Sequence, residues 1–134
     1  MSEDSPQFDL LYSDEFKARL RSLAKRYRKI QVDLQPLLDD LKAGIFEGDR
    51  LSRTGENPVF KIRLKNSDIR KGKSAGYRVI YEVRGSVCVL LIVIYSKSDQ
   101  NTIVADKIRG IIDEFDGEEG RRPSRGDNRK GRSA

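Results

Sequence analysis

The chain has 134 residues, 36% of them charged and 37% hydrophobic, with a net charge of +6 and a pI of about 9.5. That is enough for one domain with a modest core, and its surface favours polyanions, nucleic acid before an anionic membrane. Histidine is absent and Cys88 is the sole cysteine, which excludes imidazole general bases, serine or cysteine triads, an internal disulfide and thiolate metal sites.

Gln7 to Tyr12 (QFDLLY) is short, apolar and aromatic and predicts a first strand. Ser13 reads as a helix N-cap with Asp14 and Glu15 in the first turn. Phe16, Leu20, Leu23, Tyr27 and Ile30 then recur at helical spacing among arginines and lysines, the pattern of an amphipathic helix. Asp33 is expected to cap a second helix with Pro36 in its first turn. Leu34, Leu37, Leu38, Leu41 and Ile45 form its apolar side, and Gly44 or Gly48 ends it. Two consecutive helices with so short a join form a hairpin.

After a loop from Asp49 to Pro58 the period changes from helical to alternating. Val59 to Lys65 (VFKIRLK) predicts a strand with Phe60, Ile62 and Leu64 on one face and Lys61, Arg63 and Lys65 on the other. The polar segment Asn66 to Gly76 adds Arg70, Lys71 and Lys73. Tyr77 to Val83 alternates again, and Arg84-Gly85-Ser86-Val87 reads as a two-residue hairpin turn. Val87 to Tyr95 (VCVLLIVIY) is continuously apolar, as a central strand covered on both faces is, and Cys88 reads as one of its core residues. It is far too short to span a bilayer, and the N-terminal residues lack the basic and apolar regions of a secretory signal, so no membrane association is expected. A last helix from about Asn101 carries Val104, Ile108, Ile111, Ile112 and Phe115 on one side.

From Asp116 onward the periodicity ends. Residues 117–134 are rich in Gly, Ser and basic side chains and read as a disordered basic tail beside a folded domain of residues 1–116. The predicted fold class is α+β: an antiparallel sheet in the order β-α-α-β-β-β-α, packed by an N-terminal helix hairpin and a C-terminal helix.

A two-residue turn at Gly85-Ser86 would pair Arg84 with Val87, Glu82 with Val89, Ile80 with Leu91 and Arg78 with Val93. Arg78 then shares a face with Tyr95 and Lys97, and Lys61, Arg63 and Lys65 join them. The other face takes Tyr77, Val79, Tyr81, Val83, Cys88, Leu90, Ile92 and Ile94, under the helix hairpin. Ile80, Val89 and Leu91 share the basic face, so its far end needs a cover such as the last helix. One sign repeated across adjacent strands gains nothing unless an anion binds there, because like charges opposite one another repel. The bland alternative for Lys61 or Lys65 is a solvated strand face. Gly72-Lys73-Ser74 is not a phosphate-binding loop: Ser67 stands where its first glycine belongs, and a strand follows instead of a helix.

The residues KIRL, GKSAGYRVIYEV and VLLIVIYSKSDQNTI resemble the RelE/HigB branch of bacterial type II toxins, within the RelE/ParE superfamily. The resemblance covers about Phe8 to Phe115; its specific part is Phe60 to Ser98. It implies a metal-independent, cofactor-free endoribonuclease in the cytoplasm that cleaves mRNA in the translating ribosome and is held inactive by a cognate antitoxin. On that resemblance Lys61, Arg63, Arg78 and Lys97 fall at the family's basic site positions. Lys65, Arg70, Lys71 and Lys73 would extend the contact with RNA. A functional tyrosine of some members, in the first turn of the final helix, is replaced here by Ile103, and Tyr95 is the candidate substitute. Two alternatives stay open: a gyrase inhibitor of the ParE branch, and a non-catalytic RNA-binding protein.

Overall fold

Ser13 organises the first third of the chain. Its hydroxyl accepts the Phe16 backbone N–H at 2.9 Å, capping the first helix, and donates to the Ile92 carbonyl at 2.6 Å. One side chain therefore starts a helix and fixes it to a strand far along the sequence. The computed structural model describes residues 7–69, 75–100 and 102–121. Its elements are β1 (Asp9–Tyr12), α1 (Asp14–Arg26), α2 (Ile30–Lys42), β2 (Asp49–Leu51), β3 (Val59–Leu64), β4 (Tyr77–Arg84), β5 (Cys88–Ser96) and α3 (Ala105–Arg121).

The five strands form one sheet in the order β1-β5-β4-β3-β2. The α+β class stands, with two changes. β1 pairs with β5 in parallel, so the sheet is mixed and not wholly antiparallel. β2 is a short edge strand antiparallel to β3, inside the segment expected to be a loop. Its approach depends on Gly48, at φ +117°: a Cβ there would lie 2.6 Å from the Lys61 carbonyl oxygen.

Leu23, Leu34, Leu37 and Leu41 of the helix hairpin pack with Tyr77, Val79, Tyr81, Val83, Phe60, Ile62 and Leu64 on one side of the sheet. Ile108, Ile111 and Ile112 of α3 pack with Ile80, Leu90, Ile92, Val93 and Tyr95 on the other. The turn at Gly44, φ +83°, ends the second helix as expected. Asp33 does not cap that helix. The helix begins three residues earlier in space and sequence, at Ile30, with Pro36 in its interior. The Asp33 carboxylate is drawn elsewhere: it accepts the Ser67 backbone N–H at 2.8 Å and the Ser67 hydroxyl at 2.5 Å. α3 continues past Asp116 to Arg121, and the remainder of the expected tail lies outside the described residues.

The hairpin register also differs. Arg84 pairs with Cys88, so the turn holds one residue more than expected, and a bulge follows between Ile80 and Tyr81. Val89 and Leu91 thus face the helix hairpin, while Leu90 and Ile92 face α3, the reverse of the expected assignment; Cys88, as Arg84's partner, moves with them. Beyond the bulge the two single-residue offsets add to two, so Arg78 pairs with Tyr95 and not with Val93 as expected, while the face of each residue is restored. Arg78, Val93 and Tyr95 keep the face predicted for them.

Candidate nucleic-acid interface

Alternation in β3 sends Phe60, Ile62 and Leu64 into the hairpin-side core and leaves Lys61 and Arg63 on the opposite face. Lys61 pairs with Ile80, Arg63 with Arg78, and Arg78 in turn with Tyr95. Cross-strand partners lie on the same face with Cβ atoms roughly 5 Å apart, so Arg63, Arg78 and Tyr95 form a row across three strands. Arg63 is exposed and Lys61 half-buried, whereas Arg78 is only 5% exposed and Tyr95 2%.

Burial gives the row its electrostatic character. It lowers the Arg78 pKa, an effect the Arg63 charge reinforces and Tyr95 opposes. An Arg78 Nη1 donates to the Tyr77 carbonyl at 3.4 Å. Burial raises the Tyr95 pKa, while Arg78 and Arg19 pull it the other way. The Tyr95 hydroxyl is fully enclosed and has no hydrogen-bond partner among the described residues. A buried phenol without a partner is costly.

The far end of this face is closed and ion-paired. Glu82, 4% exposed, accepts from Arg84 at 2.7 Å and from Asn57 at 3.1 Å. Arg84 also bonds Asp116 of α3 at 2.8 Å and lies over the Phe115 ring. The cover expected from the last helix is therefore present there, over Ile80 and Val93 and not over Val89 or Leu91. Ile103 is buried in the same cluster as Tyr95, so its side chain serves the core.

Other expected site residues are placed less uniformly. Lys65 is exposed just past the end of β3. Lys97 does not continue the alternation of β5, because the strand ends at Ser96. Its backbone N–H donates to the Gly76 carbonyl at 2.9 Å, and the residue lines a cavity of about 250 Å³ with Tyr27, Ile69, Ala75 and Ser98. Arg70, Lys71 and Lys73 lie outside the described residues. Two features were missed. Asp49 of β2 pairs with Lys61 and puts an acid at the edge of the basic face; Gly48 was the only signal for it. Arg19 and Arg26 of α1 approach the end of β5 through Gln100 and Asp99, a contact that helical periodicity alone does not place.

Among the described residues no group of three or more Cys, Asp or Glu side chains could hold a metal ion, and no helix is long and apolar enough to cross a membrane.

No protein-family model and no curated protein sequence matches the chain. Among solved structures, the chain is similar to the free state of a double-arginine mutant of the E. coli toxin RelE. Identity is 18%, the match covers 81% of this chain and 96% of that one, and the TM-score is 0.48.

Proposed function

We propose that this protein is the toxin of a type II toxin–antitoxin pair, an endoribonuclease that cleaves mRNA in the ribosome of the cytoplasm and is held inactive by a cognate antitoxin. The observation that carries the reading is the Arg63–Arg78–Tyr95 row: two arginines paired across adjacent strands and ending at a buried phenol without a partner among the described residues. The resemblance of the KIRL, GYR and YSKSD segments to the RelE/HigB branch supports the same assignment.

Cleavage by the RNA's own 2′-hydroxyl needs a base, stabilisation of the phosphorane and an acid. Lys61, entering the step as its neutral amine, takes the 2′-OH proton and becomes an ammonium, and the freed oxygen attacks the adjacent phosphorus. Arg63 and Arg78 each hold phosphate oxygens with paired N–H donors, offsetting the added charge of the five-coordinate state. The bond to the 5′-oxygen breaks, leaving a 2′,3′-cyclic phosphate, and Tyr95, once a side-chain shift uncovers its enclosed hydroxyl, gives its proton to the departing oxygen. Raised by burial, the Tyr95 phenol keeps that proton at neutral pH. Lys97 is the alternative donor. Alignment of the strand by the ribosome supplies the remaining acceleration by positioning. Lys65, Arg70, Lys71 and Lys73 contact the flanking backbone. An acidic, partly unfolded antitoxin segment complements the same face.

The test is primer extension on cellular mRNAs shortly after induction, comparing wild type with the Arg63→Ala/Arg78→Ala variant, whose folding is checked by circular dichroism. New 5′ ends inside translated frames with wild type alone are expected. Intact mRNA with growth arrest would transfer the assignment to gyrase poisoning. Neither arrest nor cleavage would leave an RNA-binding protein without activity.

A further inference from the structure

A second cavity adjoins the cationic row. It measures about 340 Å³ and opens between α1 and the end of β5, with walls that include Ala18, Ser22, Leu23, Ile94 and Tyr95. Arg19, Arg26 and Asp99 also line it. β1 pairs only with Cys88 to Leu91 of β5, so the upper part of β5 has α1 for a neighbour, and the cavity lies in that join.

Three properties suit it to a flat, partly polar ring. Its size falls at the small end of ligand cavities. Leu23 and Ile94 give it apolar lining. Its two arginines are seven residues apart on α1, two helical turns or roughly 10 Å along the axis, and both are held by their edges. Arg19 Nε donates to Glu15 at 2.6 Å and its Nη1 to Gln100 at 3.0 Å. Arg26 donates to Asp99 at 2.8 Å and to the Tyr27 hydroxyl at 2.8 Å. Arg26 also lies over the Tyr27 ring, 4.8 Å from its centroid, which takes one face of its guanidinium; planar faces of edge-held guanidiniums are surfaces on which unstacked RNA bases pack. Tyr95 connects the two regions: it lines this cavity and is the cross-strand partner of Arg78.

We propose that this cavity is a base-binding subsite, taking one unpaired base of a single-stranded RNA whose backbone crosses the Arg63–Arg78 row. The inference rests on the RNA reading above and adds to it where a base goes. Backbone contacts position a strand but carry no sequence information, whereas a base held beside the reacting phosphate fixes the register of cleavage.

The experiment uses the full chain with its Lys61→Ala substitution, to prevent turnover, and a short single-stranded RNA in which each base in turn is removed to leave an abasic site. One position is expected to weaken binding about tenfold or more, the scale of a lost base stack. Ala18 and Ser22 are exposed on α1, so Ala18→Leu/Ser22→Leu fills the cavity without changing charge. The filled variant should bind intact RNA as weakly as the parent binds the critical abasic RNA, and be indifferent to that base. An even abasic scan with RNA binding intact, or a filled variant that binds like the parent, overturns the subsite alone. No RNA binding by the parent overturns the subsite, while the functional reading stands or falls separately on primer extension of ribosome-bound mRNA. If the filled variant does not fold, the abasic scan decides.

Discussion

Arg63 of β3 and Arg78 of β4 are direct cross-strand partners, one exposed and the other 5% exposed. Like charges in that relation destabilise a sheet by roughly 0.2–1 kcal/mol, and Arg63 is solvated enough that the lower part of that range applies. Arg63→Gln is therefore expected to raise Tm by about 1–3 °C at low salt and to weaken RNA binding. Thermal unfolding at low and high salt checks it, because screening removes the repulsion and hence the gain. A loss of stability at low salt would mean that the two guanidiniums are not in conflict.

Tyr95 and Tyr77 each bury a hydroxyl with no partner among the described residues, yet only Tyr95 stands in the basic row. Replacing either by Phe removes an unsatisfied polar atom and keeps the ring. Both single variants should be at least as stable as wild type, by up to about 1–2 kcal/mol, in denaturant unfolding. RNA cleavage should fall at least tenfold for Tyr95→Phe and hold for Tyr77→Phe. Equal activities would remove Tyr95 from the chemistry.

Alkaline pH should unfold this protein through its tyrosines. Burial raises the pKa of Tyr77, helped by Asp33 and Asp68, and burial likewise raises that of Tyr81, helped by Glu47. In the unfolded chain these phenols titrate near 10, as an ordinary tyrosine does (about 10). Above that pH the unfolded state releases protons that the native state retains, so stability falls as pH rises. The contribution is whole below about pH 10 and drains away as pH climbs through the native values. Tyrosinate absorbance should appear together with loss of the fold, and Tyr77→Phe should move that transition to higher pH.

Gly76 and Gly110 predict opposite responses to the same substitution. A Cβ at Gly76 would collide with the Leu64 carbonyl oxygen and come within 3.0 Å of the Asn66 backbone nitrogen. Gly76→Ala must push β3 from β4 at the end that carries Arg63 and Arg78, with a cost of about 3 kcal/mol or more. Gly110 lies within α3, and a Cβ there meets nothing within 4 Å. Gly110→Ala is expected to stabilise by about 0.5–1 kcal/mol through helix propensity. Urea midpoints for the two variants check both signs.

The periodicity of β3 placed its apolar and basic faces correctly, because a half-buried strand must alternate. It could not place β5, whose nine residues Cys88–Ser96 are all apolar apart from the last: a strand covered on both sides carries no alternation to read. The expected two-residue turn at Gly85-Ser86 was one residue short, and the bulge near Ile80 restored the phase, so Arg78 and Tyr95 came out together through two single-residue offsets that add to two. Lys97 fell outside because counting by twos continues past a strand end that only the Ser96–Asp99 turn reveals. Asp33 was misread for a different reason. An aspartate ahead of an apolar helical stripe looks like a cap, and its true partner, Ser67, is thirty-four positions away.

The bond from Ser13 to Ile92 spans 79 positions, and among the described residues β1 has no strand partner except β5. Contacts so remote in sequence form late, since the chain between them must first be ordered. During synthesis, β1 and α1 must wait for β5 to leave the ribosome before the sheet can close. Tyr95, near the end of β5, is the final member of the cationic row to emerge. The unfinished chain consequently carries arginines and lysines without the geometry that gives them a common target, and the complete face exists only once nearly all of the described sequence has been made.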